Sequence, residues 1–170
     1  MAGNFIFRSI GKADLVFFVL LLCSVPVFCG MKNDAVNVMI YGHFICYGCN
    51  NAFLIYLYRK LSMLGEIRSF IIPRIGAHKA ENHILVNNVA AVLTYQLILN
   101  LFLFLFYDVI VGEWLAYVPA FLVLNTFMCF IESTIVSFAF FHKRGIALIM
   151  IAICVNMAFH YLAVPALFPA

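Results

Sequence analysis

The chain has 170 residues, of which 66% are hydrophobic and 10% are charged, with a formal net charge of +3. A soluble domain of this composition would expose far more apolar surface than a soluble monomer tolerates. The positive charge does not indicate nucleic-acid binding, because the basic residues border long apolar segments and do not form one basic face. The sequence therefore predicts a protein embedded in a lipid bilayer, with no nucleic-acid partner.

Five apolar segments follow one another along the chain, each close to the roughly 20 residues that a helix needs to cross the hydrocarbon core. Because every backbone polar group must be satisfied inside the bilayer, each segment predicts a helix. We expect one all-α transmembrane domain, 1–170, built as a polytopic membrane helix bundle of about five helices. The predicted spans are 14–30, 36–58, 84–107, 116–141 and 146–164.

The first segment also has features of a secretory signal peptide, because Arg8 and Lys12 precede an apolar core. A signal peptidase requires small residues at its cleavage site, but bulky residues occupy 25–29. We therefore expect this segment to remain as a transmembrane span.

The ten Lys and Arg residues predict the orientation of the spans. All of them except Lys32 lie before the first span, between the second and third, or between the fourth and fifth. Cytoplasmic loops carry an excess of Lys and Arg, so we expect the N-terminus in the cytoplasm and the C-terminus outside. The predicted location is the cell (plasma) membrane, crossed several times.

The largest polar segment, 59–83, separates the second and third spans. An apolar stripe at helical spacing indicates an interfacial helix at about 60–72. Pro73 lacks an amide hydrogen and Gly76 is a poor helix former, so we expect a break at 73–76 and then a short polar piece that enters span three. The stripe consists of Leu64, Ile67, Ile71 and Ile75.

In this segment Arg74-Ile75-Gly76 is followed by His78-Lys79 and by the third span. This order resembles the stretch between the second and third spans of small bacterial ABC-2-type permeases, especially those that export bacteriocins and related peptides. There an Ile- and Arg-rich strip runs into Arg-x-Gly, then small or basic residues, then the third span. The likeness covers 55–100, and it departs from the family in span number, because those permeases usually have six spans with both ends cytoplasmic.

The resemblance implies that the segment 59–83 is a coupling segment, which docks on a separate ATP-hydrolysing nucleotide-binding subunit. It also implies a second copy of the chain, or a paralogous permease subunit, as a partner. The sequence lacks the phosphate-binding motif GxxxxGK[ST], so any ATP hydrolysis belongs to the partner and the chain is not predicted to be an enzyme. The residues carried over to the coupling role are Arg68, Arg74, Gly76, His78 and Lys79.

Cys46 and Cys49, in the outer half of span two, have the CxxC spacing of a redox pair, because close thiols can form a disulfide. Their placement resembles that in membrane thiol oxidases that feed periplasmic disulfide formation. Those enzymes need a second cysteine pair in an outer loop, which this sequence lacks. We expect these cysteines to pack as small apolar side chains, with thiol oxidoreduction as an alternative.

His43 and His160 both fall in the outer halves of predicted spans, where a metal or haem pair is one interpretation. A haem needs axial ligands on facing helices, and zinc sites use three or four ligands. Because only two histidines and no acid share this depth, we predict no metal, no cofactor and no catalytic residue.

Glu132 is the only acidic residue inside a predicted span. Ionisable side chains there are costly, and they usually face a cavity or a partner. Two roles stay open: a protonated carboxyl hydrogen-bonded to a neighbouring helix, or a group on a transport path. Asparagines at membrane depth further predict hydrogen bonds between helices. These are Asn50, Asn51, Asn87, Asn88, Asn100, Asn125 and Asn156.

Together these features favour a membrane-spanning permease subunit of an ABC-type exporter, which moves a peptide or other amphiphilic substrate with energy from a separate ATPase subunit. An accessory, assembly or immunity-type membrane subunit without its own transport path is the alternative, since it would share the topology. A membrane thiol oxidoreductase that uses Cys46 and Cys49 is a second alternative.

The charge asymmetry predicts which loops face the outside. In a cysteine-free background, Asn33→Cys and Gly112→Cys should react with a membrane-impermeant thiol reagent in intact cells. His78→Cys and Arg144→Cys should react only after lysis. A C-terminal reporter that is active in the cytoplasm would contradict this topology.

Overall fold

The computed structural model describes residues 11–30, 34–108, 116–141 and 145–168. Every regular element in these ranges is helical. The α-helices are α1 (Lys12–Cys29), α2 (Ala35–Tyr41), α3 (Asn51–Glu66), α4 (Arg68–Ile75), α5 (Ala77–Phe106), α6 (Val118–Ser137), α7 (Gly145–Ala158) and α8 (Val164–Leu167). Two π-helical segments, Ile45–Asn50 and Phe159–Ala163, and a 3-10 turn, Phe138–Phe140, complete them.

Four helical segments are long and apolar enough to cross a membrane. They are Lys12–Cys29, Ala77–Phe106, Val118–Phe140 and Gly145–Leu167. A fifth consists of Ala35–Tyr41 and Ile45–Glu66, two helices that meet at an angle of 58°. The part of the chain that the structure describes is therefore an all-α bundle with four spans, or five when the bent pair counts as one. This confirms the predicted fold class.

The bundle is apolar both inside and outside, as a bilayer requires. Leu54, Leu57 and Val136 are fully buried in the smaller apolar cluster of the bundle. On the outer surface Leu105 is 78% exposed and Val123 is 70% exposed. In water such side chains would form large apolar patches, whereas hydrocarbon tails cover them without cost. The exposed apolar surface therefore supports membrane embedding.

A short break divides the second span after Tyr41. The Gly42 N–H donates to the Val38 carbonyl at 2.9 Å and ends α2, while the Ile45 N–H donates to the Gly42 carbonyl at 2.9 Å. A Cβ atom on Gly42 would lie 2.1 Å from the Val38 carbonyl oxygen. Only glycine fits this close approach, so the sequence places the bend at this residue.

The short helix α2 is held at both ends by distant parts of the chain. The Ala35 N–H donates to the Asp108 carbonyl at 3.0 Å, and the Tyr41 hydroxyl donates to the Phe168 carbonyl at 2.5 Å. Val36 and Ile40 are buried in the larger apolar cluster of the bundle. These contacts fix a helix that is too short to be stable alone.

The polar segment after span two differs from the expected helix at 60–72. The helix α3 continues to Glu66, the chain bends at Ile67, and α4 then includes Pro73. Pro73 lies in the last turn of α4, where it removes one backbone hydrogen bond, to the Ser69 carbonyl, and the helix ends two residues later. The second bend comes at Gly76, whose φ of 82° favours glycine. The expected polar piece 77–83 is the start of α5.

We predict that Gly42→Ala destabilises the bundle, because the new methyl group overlaps a backbone oxygen that cannot move without breaking α2. The expected loss is about 1–3 kcal/mol, measured as a fall in the thermal unfolding midpoint in detergent. Gly11→Ala is the control, since its Cβ would meet nothing closer than the Asp14 carboxylate at 3.7 Å. Equal midpoints for the two variants would contradict the prediction.

Candidate functional site

A layer of polar side chains lies inside the bundle, between the apolar clusters. Burying a polar group in an apolar medium is costly unless it is hydrogen-bonded, so each member of this layer needs a partner. The buried polar residues are Asn50, Asn88, Gln96, Glu132, Ser133, Ser137, Asn156 and His160.

Asn156 connects α7 to the bent second span through hydrogen bonds. Its Nδ2 donates to Asn51 Oδ1 at 2.8 Å and to the Cys46 carbonyl at 3.0 Å. On the other side of the same span, the Tyr95 hydroxyl donates to Asn50 Oδ1 at 2.7 Å. The amides therefore link three helical segments, as the sequence predicted for Asn50, Asn51 and Asn156.

Two further contacts join α5 to α6. Asn88 Nδ2 donates to Ser137 Oγ at 3.2 Å, and Asn125 Nδ2 donates to Gln96 Oε1 at 3.3 Å. The predicted hydrogen bonds between helices are thus confirmed for Asn88 and Asn125. They are wrong for Asn87 and Asn100, which donate to carbonyls one turn earlier in their own helix, at 2.7 Å each.

Glu132 lies deep in this layer, with a side chain only 1% exposed. Three weakly acidic side chains surround it: Cys46, Cys129 and Tyr95. Among the residues that the structure describes, none makes a hydrogen bond or an ion pair with its carboxyl group. The structure therefore does not supply the expected bond to a neighbouring helix. A carboxyl in this position is poorly compensated and is kept at a cost.

Cys46 and Cys49 carry free thiols and are buried. The Cys46 sulfur lies 3.5 Å from Asn156 Oδ1, where it makes a weak contact within the polar layer. A soluble thiol partner would need to reach into the bundle to attack either sulfur. This placement fits packing better than thiol exchange.

The structure brings His43 and His160 together, with ring centroids 5.5 Å apart. Tyr47 and Tyr161 complete a group of four rings in which every pair lies within 6.1 Å. Within the described ranges no three His, Cys, Asp or Glu side chains are grouped as a metal site. The two tyrosines were missed by the sequence analysis, and the signal that could have found them is their spacing of +4 and +1 from the histidines.

The proposed coupling residues separate into two groups. Arg74, Gly76, His78 and Lys79 are all exposed. Arg68 is half-buried, and its guanidinium donates to the Phe141 carbonyl at 2.5 Å and, more weakly, to the Phe140 carbonyl at 3.5 Å. Arg68 is therefore an internal contact between the polar segment and the end of span four.

One contact between two spans could not be predicted from the sequence. Lys60 Nζ lies 2.8 Å from Asp14 Oδ2, and the ammonium group also lies 5.4 Å from the centre of the Tyr56 ring. The pair joins the start of α1 to α3. The sequence shows only that an acidic and a basic residue lie at the edges of two spans. Many other acid–base pairs in the chain fit that description, so this ion pair could not be singled out.

Comparison of the chain with protein-family models, curated proteins and solved structures finds no match. A functional assignment therefore depends on the residues and contacts described above.

Glu132→Gln separates the two open roles, because the amide keeps the shape but cannot carry the charge. We expect Gln to be tolerated if Glu132 is only a protonated packing group, and to abolish activity in a folded protein if the charge is used. Glu132→Ala should also lower stability, by about 2–3 kcal/mol, through the cavity that it creates. Thermal unfolding and the yield of monodisperse protein measure folding, and activity is measured on the same variants in the native membrane. Glu66→Gln, at an exposed acid of α3, is the control. Full activity of Glu132→Gln would remove this residue from any transport path.

Proposed function

We propose that this chain is the permease subunit of an ABC-type exporter in the plasma membrane, moving a peptide or other amphiphilic substrate. A separate ATP-hydrolysing subunit supplies the energy, and a second copy or a paralogous permease subunit completes the membrane part. The proposal is supported most by one contact, the bond from Arg68 to the cytoplasmic end of span four.

That contact gives the exposed polar segment a mechanical connection to the bundle. Arg68 begins α4, and its guanidinium binds carbonyl groups at the end of the helical segment that holds Glu132. A guanidinium bound to carbonyls is a charge-assisted and directional contact. A push on α4 is therefore passed to span four, and Glu132 lies about 12 Å along the helix axis from Phe140.

The segment is also shaped for docking. The helix α4 buries none of its residues, and the positive φ of Gly76 fixes the angle at which it meets α5. Arg74 and Lys79 are exposed on either side of this bend. Two cations on a rigid elbow fit an acidic groove on a partner, where electrostatic complementarity sets the register of docking.

An amphiphilic substrate fits the interior of the bundle. A groove of about 180 Å³ between α1, α3 and α5 has an almost purely apolar lining, which includes Phe18, Phe53 and Leu99. Tyr95 also lines this groove, and its hydroxyl belongs to the polar layer through Asn50. The groove therefore offers an apolar surface, which suits the apolar part of an amphiphilic ligand.

The decisive experiment purifies the native protein from its own membrane in mild detergent and identifies what accompanies it. We expect an ATP-hydrolysing subunit. Arg74→Glu combined with Lys79→Glu should abolish this co-purification while membrane insertion and folding remain normal, because the charge reversal replaces attraction by repulsion.

Two control variants separate docking from stability. Arg59→Glu, at an exposed cation outside the elbow, should keep the partner. Arg68→Met should also keep it but lower thermal stability, because the carbonyls of Phe140 and Phe141 lose their donor, at a cost of about 1–3 kcal/mol. If no ATPase subunit accompanies the native chain, the exporter proposal fails and the accessory-subunit interpretation replaces it.

A further inference from the structure

Four aromatic rings, here called the ring cluster, meet between the break in span two and the end of span five. They are the rings of His43, Tyr47, His160 and Tyr161. His43 belongs to the break in span two, and Tyr47 follows it in the π-helical segment Ile45–Asn50. His160 and Tyr161 belong to the second π-helical segment, at the end of span five. Hydropathy and charge place both segments in the outer half of the membrane.

Three of the four rings belong to π-helical segments, and His43 lies two residues before the first of them. Such turns are rare and are frequently found at functional sites. At the second segment Pro165 provides a local cause, since it lacks an amide hydrogen and opens the helix one turn earlier. At the first segment no proline is present between His43 and Asn51. Two rare turns that contribute to one cluster point to a selected arrangement of these rings.

The centroid separations lie in the range of ordinary aromatic packing, and they are also compatible with ring donors that share one tetrahedral ion. A metal–nitrogen bond is about 2.0–2.1 Å, so two imidazoles sharing one ion have centroids roughly 5.2 Å apart at the tetrahedral angle. The centroids of His43 and His160 are 5.5 Å apart. With a metal–oxygen bond of about 2.0–2.2 Å, a phenol oxygen on the same ion places its ring roughly 6 Å from each imidazole. Tyr47 lies 6.0 Å from His43 and 6.1 Å from His160.

The hydroxyl group of Tyr47 provides an independent observation. It is buried, and within the described part of the chain it has no hydrogen-bond partner. A buried hydroxyl without a partner costs free energy, which an added ligand would recover. His43 is exposed and Tyr161 is 53% exposed, so the cluster opens to the surface of the bundle.

We propose that His43, His160 and Tyr47 bind a divalent transition-metal ion of the Zn²⁺ type at the outer end of the bundle. Imidazole is a preferred ligand for such ions. Each histidine donates a neutral ring nitrogen, and Tyr47 binds as the phenolate after releasing its proton to solvent. The fourth position is open to water or to a ligand from outside. The ion joins span two to span five, and this proposal does not depend on the exporter function.

Cobalt(II) tests the site, because its visible absorption reports the coordination geometry. The full-length protein, purified without a histidine tag, should bind a single Co²⁺ ion with the intense visible bands of a four-coordinate centre, and Zn²⁺ should displace it. Zn²⁺ should raise the thermal unfolding midpoint, and the rise should grow with the logarithm of the Zn²⁺ concentration above the dissociation constant, as binding to the folded state requires.

Variants assign the ligands. His43→Ala and His160→Ala should weaken Zn²⁺ binding by more than the about 10–100-fold typical of losing an outer-shell partner, and Tyr47→Phe by at least about tenfold. Since His43 is exposed, its replacement should leave the unfolding midpoint of the metal-free protein unchanged. His83→Ala, at an exposed histidine on α5, should keep full affinity.

Two results would overturn the proposal. One is the absence of four-coordinate Co²⁺ bands from folded wild-type protein, which leaves the ring cluster as aromatic packing. The other is a strong thiolate-to-cobalt absorption that disappears in Cys46→Ser and persists in His43→Ala, which moves the metal to the cysteines. Arg68→Met should bind Zn²⁺ as tightly as the wild-type protein, since Arg68 lies at the opposite end of the bundle.

Discussion

The structure depends on one constraint: a backbone polar group at membrane depth must find its partner within the protein. The break in span two meets it locally, because the Gly42 N–H bonds to Val38 and the Gly42 carbonyl accepts from Ile45. The burial of α2 then shields this irregular backbone from lipid. Without glycine at position 42 the two halves could not turn by 58° while keeping these bonds.

The same constraint applies to side chains, and its exceptions are informative. The amides of Asn50, Asn51 and Asn156 are paired across helices, so they contribute stability and fix which helices are neighbours. Glu132 is buried with no ion pair in the described part of the chain. The hydroxyl of Tyr47 is one of five buried polar atoms there without a hydrogen-bond partner, with the hydroxyls of Tyr56 and Tyr107, Asn88 Oδ1 and Gln96 Nε2. A bundle selected for stability alone would have replaced both by apolar groups, so both mark positions where function is expected.

Outside the bilayer, water can hydrogen-bond exposed polar groups, and this applies to the polar segment that follows the second span. The helix α4 is exposed, and Arg68 anchors it to the end of span four. Its bends at Ile67 and Gly76 give a fixed elbow in place of the longer helix expected over 60–72. Hydrophobic periodicity suggested one helix, because the stripe continues through Ile67 and cannot show where the chain turns.

The sequence by itself determined the all-α bundle. The free energy of transferring a segment into lipid depends on the summed hydropathy of its residues, which can be read from the sequence. The sequence also identified Glu132 and most of the pairing asparagines. Only the tertiary structure decided the contacts between distant segments: Arg68 with Phe141, and Tyr47 with His160. These contacts depend on how each helix is rotated about its axis and where it bends. Uniformly apolar helices do not encode that rotation locally, so packing against their neighbours sets it.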